Sequence, residues 1–146
     1  MPPLLFAGAL ALGCLLSAMI PIGPGLGAAN ALALFAGFGF AVIGFGIVAL
    51  GLRAFARADT PVQPDRPSSA LVTDGPYRLT RNPIYIGFVL AYFGLAIMLT
   101  SMWVLLLLVP VIAILQRGVI EREEAYLQEK FADAYRVYRA RVPRWL

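Results

Sequence analysis

Two clusters of residues in this chain are suited to chemistry. The first is Gly75-Pro76-Tyr77-Arg78-Leu79-Thr80-Arg81-Asn82-Pro83-Ile84-Tyr85-Ile86-Gly87, set between a polar loop and a long apolar run. Asn82 is a favoured N-cap type and Pro83 fits the first helical position, so a helix is predicted to start here. The amino end of a helix presents free backbone N–H groups and a positive dipole end, which suit a ligand carboxylate. Arg78 and Arg81 add positive charge beside it. Tyr77 and Tyr85 offer flat faces for an adenine or a cation. Gly75 and Gly87 allow close backbone approach. Taken singly, each residue has a plainer role, as a cap or as an arginine anchoring a helix at a membrane surface. The set together is what points to a site.

The second cluster is Glu121-Arg122-Glu123-Glu124, at the start of an amphipathic stretch over residues 120–141. Ile120, Leu127, Phe131, Ala134, Tyr135, Tyr138 and Val142 fall on one stripe of that helix. At about 100° per residue, Glu124 lies inside the stripe and Glu123 at its edge. A carboxylate on a buried face costs free energy unless it is paired or used. Two roles are open for it. One is a salt bridge to Arg78, Arg81 or Arg117; the other is to hold a positively charged ligand or substrate group.

Other chemistry is excluded by composition. The chain has no histidine, which removes imidazole bases and disfavours a zinc or non-haem iron site, so no metal is expected. Cys14 is the single cysteine and sits in an apolar run, where it reads as packing.

The elements that must position these clusters are apolar. Of 146 residues, 60% are hydrophobic and 14% charged, against about 25% charged in soluble domains. Mean hydropathy is +0.79. The class is an all-α integral membrane protein, a single membrane domain. Residues 4–20, 28–52, 83–99 and 102–117 read as four transmembrane helices. Pro21 to Gly25 ends the first and Thr100-Ser101 separates the last two, which form a hairpin. Pro110 marks a kink in the fourth. Gly37, Gly44 and Gly51 recur every seventh residue in the second, as a packing seam or as room for a substrate tail. Residues 53–82 form one long cytoplasmic loop, proline-rich and extended over 60–67. The helix at 120–141 then caps the site from the membrane surface.

All 12 Lys and Arg fall within residues 53–81 and 117–144, together with all 8 acids. The short links near residues 21–27 and at 100–101 carry no charge. Cytoplasmic loops carry the basic excess, so both termini are expected inside, at the cell inner membrane. The net charge of +4 therefore marks a membrane border, not a nucleic-acid surface. No predicted span carries an Asp, Glu, Lys or Arg at membrane depth, Arg117 standing at the last position of the fourth, which argues against an ion-coupled transporter.

The ordered set is similar to one family. Ser69-Ala70-Leu71-Val72-Thr73-Asp74, then Gly-Pro-Tyr, then Arg81-Asn82-Pro83-Ile84-Tyr85-Ile86-Gly87, a hairpin, Glu123-Glu124 with Phe131, Tyr135 and Tyr138, and finally Val142-Pro143-Arg144 resembles the isoprenylcysteine carboxyl methyltransferase and phospholipid methyltransferase family. The resemblance covers residues 71–143; the first two spans match only as membrane helices. It implies S-adenosylmethionine as methyl donor, with Leu71, Val72, Gly75, Tyr77, Asn82, Pro83, Tyr85 and Glu124 around it. It places Glu123 near the substrate and makes Glu123, Glu124 and Arg81 the catalytic candidates. Asn82 replaces the histidine of the eukaryotic pattern, and Ser69 stands where prenylcysteine enzymes carry another.

Such a donor asks little of a protein in acid–base help. Alignment and exclusion of water supply most of the catalysis, which a histidine-free rim can provide. The reading is a membrane methyltransferase acting on a lipophilic acceptor (a carboxylate, an amine or a thiol) that enters from the bilayer. The competing readings are a non-enzymatic four-span scaffold and a small transporter.

Overall fold

The computed structural model describes residues 2–23, 30–61 and 69–146, and among them every regular element is helical. Helix α1 spans Pro2–Met19 and α2 spans Ala31–Arg57. A 3-10 turn at Gly75–Arg78 precedes α3, Pro83–Leu99. Helix α4, Met102–Leu115, passes through a π turn at Gln116–Ile120 into α5, Glu121–Arg141. The expected turn at Pro24-Gly25, the start of the second span at Ala28 and the extended prolines at 62–67 lie outside the described residues.

Three helices are long and apolar enough to cross a membrane: Pro2–Met19, Ala31–Arg57 and the continuous Met102–Arg141. Pro83–Leu99 is a shorter apolar helix. Phe35, Phe38, Phe45, Leu106, Val109 and Ile114 are exposed. Large apolar side chains turned outward on spanning-length helices suit lipid, and the chain is an integral membrane protein.

Glycine decides how α2 meets α3. A Cβ on Gly44 would lie 2.5 Å from the Gly87 carbonyl oxygen, and one on Gly94 would lie 2.4 Å from the Gly37 carbonyl oxygen. The two backbones therefore touch, and the heptad glycines are a packing seam rather than space for a ligand. Gly13 of α1 meets Val104 of α4 in the same way. Phe6, Tyr92, Val104, Leu108, Leu115 and Ile120 form the core between α1, α3, α4 and the π turn.

The end of α1 and the start of α4 meet at one end of this bundle. Ser17 Oγ lies 2.6 Å from Ser101 Oγ, and Trp103 Nε1 donates to the Ile20 carbonyl at 2.6 Å. Ser101 also accepts from the Val104 N–H, capping α4. The charged segments gather at the opposite end, where the 3-10 turn, the start of α3 and α5 converge.

Two helix boundaries differ from the sequence expectation. Helix α2 continues past residue 52 to Arg57, so Arg53 and Arg57 occupy its last turns. Helix α5 is broken at Ala132, where φ is 42° and ψ is −110°. The 120–141 stripe therefore belongs to two helical pieces; Tyr135 and Val142 are buried while Ala134 is exposed.

Candidate active site

The start of α3 is held by the segment that follows α5. The Arg81 N–H donates to the Pro143 carbonyl at 2.9 Å. The Arg144 carbonyl accepts from Thr80 Oγ1 and from Asn82 Nδ2, both at 3.0 Å. Asn82 stands at the N-cap position, as its type suggested, but its side chain does not cap the helix. It reaches across to Arg144 instead, and the Ile84 and Tyr85 N–H groups receive no cap from it.

Glu124 is the node of this end. Its Oε1 accepts from Arg81 Nη1 at 2.8 Å and from Arg144 Nε at 3.0 Å. Its Oε2 accepts from Arg144 Nη2 at 2.7 Å. The Arg81 and Glu124 side chains are only 10% and 12% exposed. Of the salt-bridge partners expected for Glu124, the structure provides Arg81. Arg78 instead pairs with Asp74 on the surface, and the second partner is Arg144, which helical spacing could not indicate. The bond to Glu124 raises the Arg144 pKa above its ordinary range. Arg81 Nη1 also donates to the Tyr135 hydroxyl at 3.1 Å, and its Nε is buried without a partner among the described residues.

Glu123 is differently placed. Its Oε1 accepts from the Tyr85 hydroxyl at 2.7 Å, and no cation pairs with it among the described residues. Burial pushes its carboxyl above the ordinary range, with the Tyr85 bond pulling the other way. Tyr77, buried in the 3-10 turn, lies close enough to Glu123 to feel its charge. Its own hydroxyl is held well above the ordinary range by burial first and Glu123 second. Phe55 of α2 packs edge-on against the Tyr77 ring, with centroids 5.6 Å apart. The Tyr138 hydroxyl donates to the Tyr77 carbonyl at 2.8 Å, tying α5 to the turn.

The structure thus brings Tyr77, Arg81, Asn82, Pro83, Tyr85, Glu123 and Glu124 to one end of the bundle. Leu71 and Val72 lie half-buried just before the turn, and Gly75 opens it at φ 61°. A Cβ there would meet nothing within 4 Å, so Gly75 serves the backbone conformation rather than a tight contact. Among the described residues no group of His, Cys, Asp and Glu could hold a metal. Sequence reasoning missed two participants, Arg144 as a partner of Glu124 and Tyr138 as a tie to the turn. Val142-Pro143-Arg144 carried a weak signal, a basic residue just beyond a helix-stopping proline.

Arg144 makes two charge-assisted bonds to one carboxylate, a geometry lysine cannot reproduce. Arg144→Ala is expected to cost about 1.5–3 kcal/mol of stability. Arg144→Lys should recover only part of that. Unfolding of the purified protein in detergent measures both; equal recovery by lysine would contradict the bidentate role.

A model of the phospholipid methyltransferase family matches residues 32–134. The match begins in α2, so the second helix falls within the family region, wider than the resemblance at residues 71–143. A protein-S-isoprenylcysteine O-methyltransferase of Schizosaccharomyces pombe is 40% identical over 73 residues, 50% of this chain and 31% of that protein. A cobalt-zinc-cadmium resistance protein, CzcN of Cupriavidus metallidurans, is 35% identical over 78 residues, 53% of this chain and 36% of that protein. The aligned stretch spans about a third of the length of each of these relatives. No solved structure matches the chain.

Proposed function

The chain belongs to the phospholipid methyltransferase family, and from that premise we propose that it moves a methyl group from S-adenosylmethionine to a lipophilic acceptor at the membrane surface. The observation that carries this reading is the contrast between neighbouring carboxylates. Glu124 is neutralised by two arginines, whereas Glu123 is half-buried beside tyrosine, with no cation paired to it among the described residues.

The residues present fit the donor. The unpartnered Arg81 Nε and the uncapped start of α3 suit a carboxylate. The Tyr77 and Tyr85 rings suit an adenine or a sulfonium. When bound, S-adenosylmethionine supplies an activated methyl group on a positively charged sulfur. Leu71, Val72, Gly75, Tyr77, Asn82, Pro83 and Tyr85 would surround it. Glu124 would hold Arg81 in place, and Glu123 would stand where donor and acceptor meet. Little proton transfer is asked of this site; its residues orient the reactants and keep water out.

The topology we propose has four spans, with α3 as the fourth crossing helix beside the three longer ones. The charged end faces the cytosol, following the basic excess on that side. The donor reaches the site from water, and the acceptor from the bilayer.

The test is incubation of the purified protein with methyl-labelled S-adenosylmethionine and total membrane lipids, followed by identification of the labelled product. Absence of any labelled lipid-soluble product, with no calorimetric binding of the donor, sinks the reading. Tyr85→Ala should weaken donor binding by about 1–3 kcal/mol through loss of one ring contact and the Glu123 bond. Tyr85→Phe, keeping the ring, should lose less. Titration calorimetry of both variants checks the order.

A further inference from the structure

The helix that joins α4 to α5 carries two arginines, Arg117 and Arg122, with no ion-pair partner among the described residues. The π turn decides where they stand. The Glu121 N–H donates to the Gln116 carbonyl, five residues back where an α-helix bonds four back. Leu115 and Ile120, five apart across this turn, are both fully buried. In an uninterrupted α-helix they would stand about 140° apart, one inward and one outward. By the same register Arg117 is set over Arg122 on the outward side, and both are exposed.

Gly118 lies between them, and packing does not require it. It is exposed, and a Cβ there would meet nothing within 4 Å. Glycine weakens a helix interior, and what it offers in return is a close approach to the backbone. Glu121, the acid nearest in sequence, lies 4.0 Å from Arg144 instead. On α4 the residues Leu106, Val109 and Ala113 fall on the same side as Arg117 at helical spacing, and all three are exposed. An apolar strip thus ends in two arginines and a gap at the membrane border. That is the outline of a phospholipid, with a chain beside the strip and a phosphate at its end. Guanidinium forks suit phosphate oxygens, two bonds at a time.

We propose that Arg117 and Arg122 hold the phosphate of an anionic membrane phospholipid, seated against Gly118, with an acyl chain along Leu106, Val109 and Ala113. In the topology proposed above this is the cytosolic leaflet, where anionic lipids concentrate. The site faces away from the Glu124 node, because Ile120 on the opposite side of the turn is in the core. It shares no residue with the donor contacts, so its failure would leave the methyltransferase reading standing. Arginines acting only as general anchors would need neither the five-residue register nor the glycine, and any arginine at the border would serve as well.

Native mass spectrometry of the full chain in an uncharged detergent tests this, with phosphatidylglycerol and phosphatidylcholine titrated separately. Phosphatidylglycerol should bind about 10-fold or more tightly than the zwitterionic lipid, the scale of charge-assisted contacts to one phosphate. Arg117→Gln or Arg122→Gln should remove most of that preference. Gly118→Leu, which changes no charge and meets no neighbour, should lower it as well by filling the gap. Arg53→Gln removes an exposed arginine in the last turns of α2 and should leave the preference nearly unchanged. Equal losses in Arg53→Gln and Arg117→Gln overturn the proposal in favour of a diffuse positive field, and so does a Gly118→Leu protein that binds as before. Displacement of the lipid by an equal concentration of inorganic phosphate overturns the lipid as the source of the anion.

Discussion

Glu124→Ala is expected to be the most damaging single truncation at the charged end, costing about 3–5 kcal/mol of stability and with it donor binding. The loss exceeds that of an ordinary surface pair because three charged groups share one buried point. Arg81 Nη1, Arg144 Nε and Arg144 Nη2 all donate to this carboxylate, and Glu124 is 12% exposed. Without it Arg81 is left buried with the Tyr135 hydroxyl as its remaining side-chain bond, and two like charges face each other. Glu124→Gln keeps the shape and one acceptor oxygen, and should fall between. Thermal unfolding in detergent, read alongside calorimetric binding of S-adenosylmethionine, measures both effects. A Glu124→Ala protein that unfolds within 1 kcal/mol (roughly the worth of an exposed pair) of the unaltered chain would show the node to be ornamental.

The sequence made part of this end legible and hid the rest for a physical reason. Periodicity put Glu124 on the buried stripe, because 100° spacing is a property of the helix itself, about 3.6 residues per turn. Pro83 fixed the start of α3, and Thr100-Ser101 its end, because a missing N–H and a capping hydroxyl act within a few residues. The identity of a partner acts over longer separations. Arg144 finds Glu124 across 20 residues, and Tyr85 finds Glu123 across 38. Long side chains choose partners by where whole helices lie, and no local pattern carries that. Asn82 shows the competition directly. Its type favours a local cap, yet a carbonyl 62 residues away takes its amide. The break at Ala132 has no glycine or proline at it, and the one glycine in the π turn at Gln116–Ile120, Gly118, is not by itself a signal of such a turn.

The seam between α2 and α3 supplies the second large effect, and it connects lipid-embedded packing to the site. Gly44→Leu is expected to separate the two helices and destabilise the protein by at least about 1–3 kcal/mol, the usual range for overpacking. The upper end or beyond is favoured because the obstruction is backbone. The new Cβ alone would lie 2.5 Å from the Ala91 nitrogen and from the Gly87 oxygen, and backbone cannot rotate away as a side chain can. Gly39→Leu on the same helix is the control. A Cβ there meets nothing within 4 Å, so its stability should stay within about 0.5 kcal/mol of the unaltered protein. The consequence for function follows from what each helix carries. Phe55, on α2, braces the Tyr77 ring, while α3 begins beside Arg81 and bears Tyr85. Parting the helices parts the two tyrosines that face Glu123. A Gly44→Ala variant, milder in volume, should therefore lose donor affinity in proportion to its loss of stability, although residue 44 lies within the apolar span and touches no charged group. Binding that stays unchanged while stability falls would show the rim to be held by the Glu124 node alone.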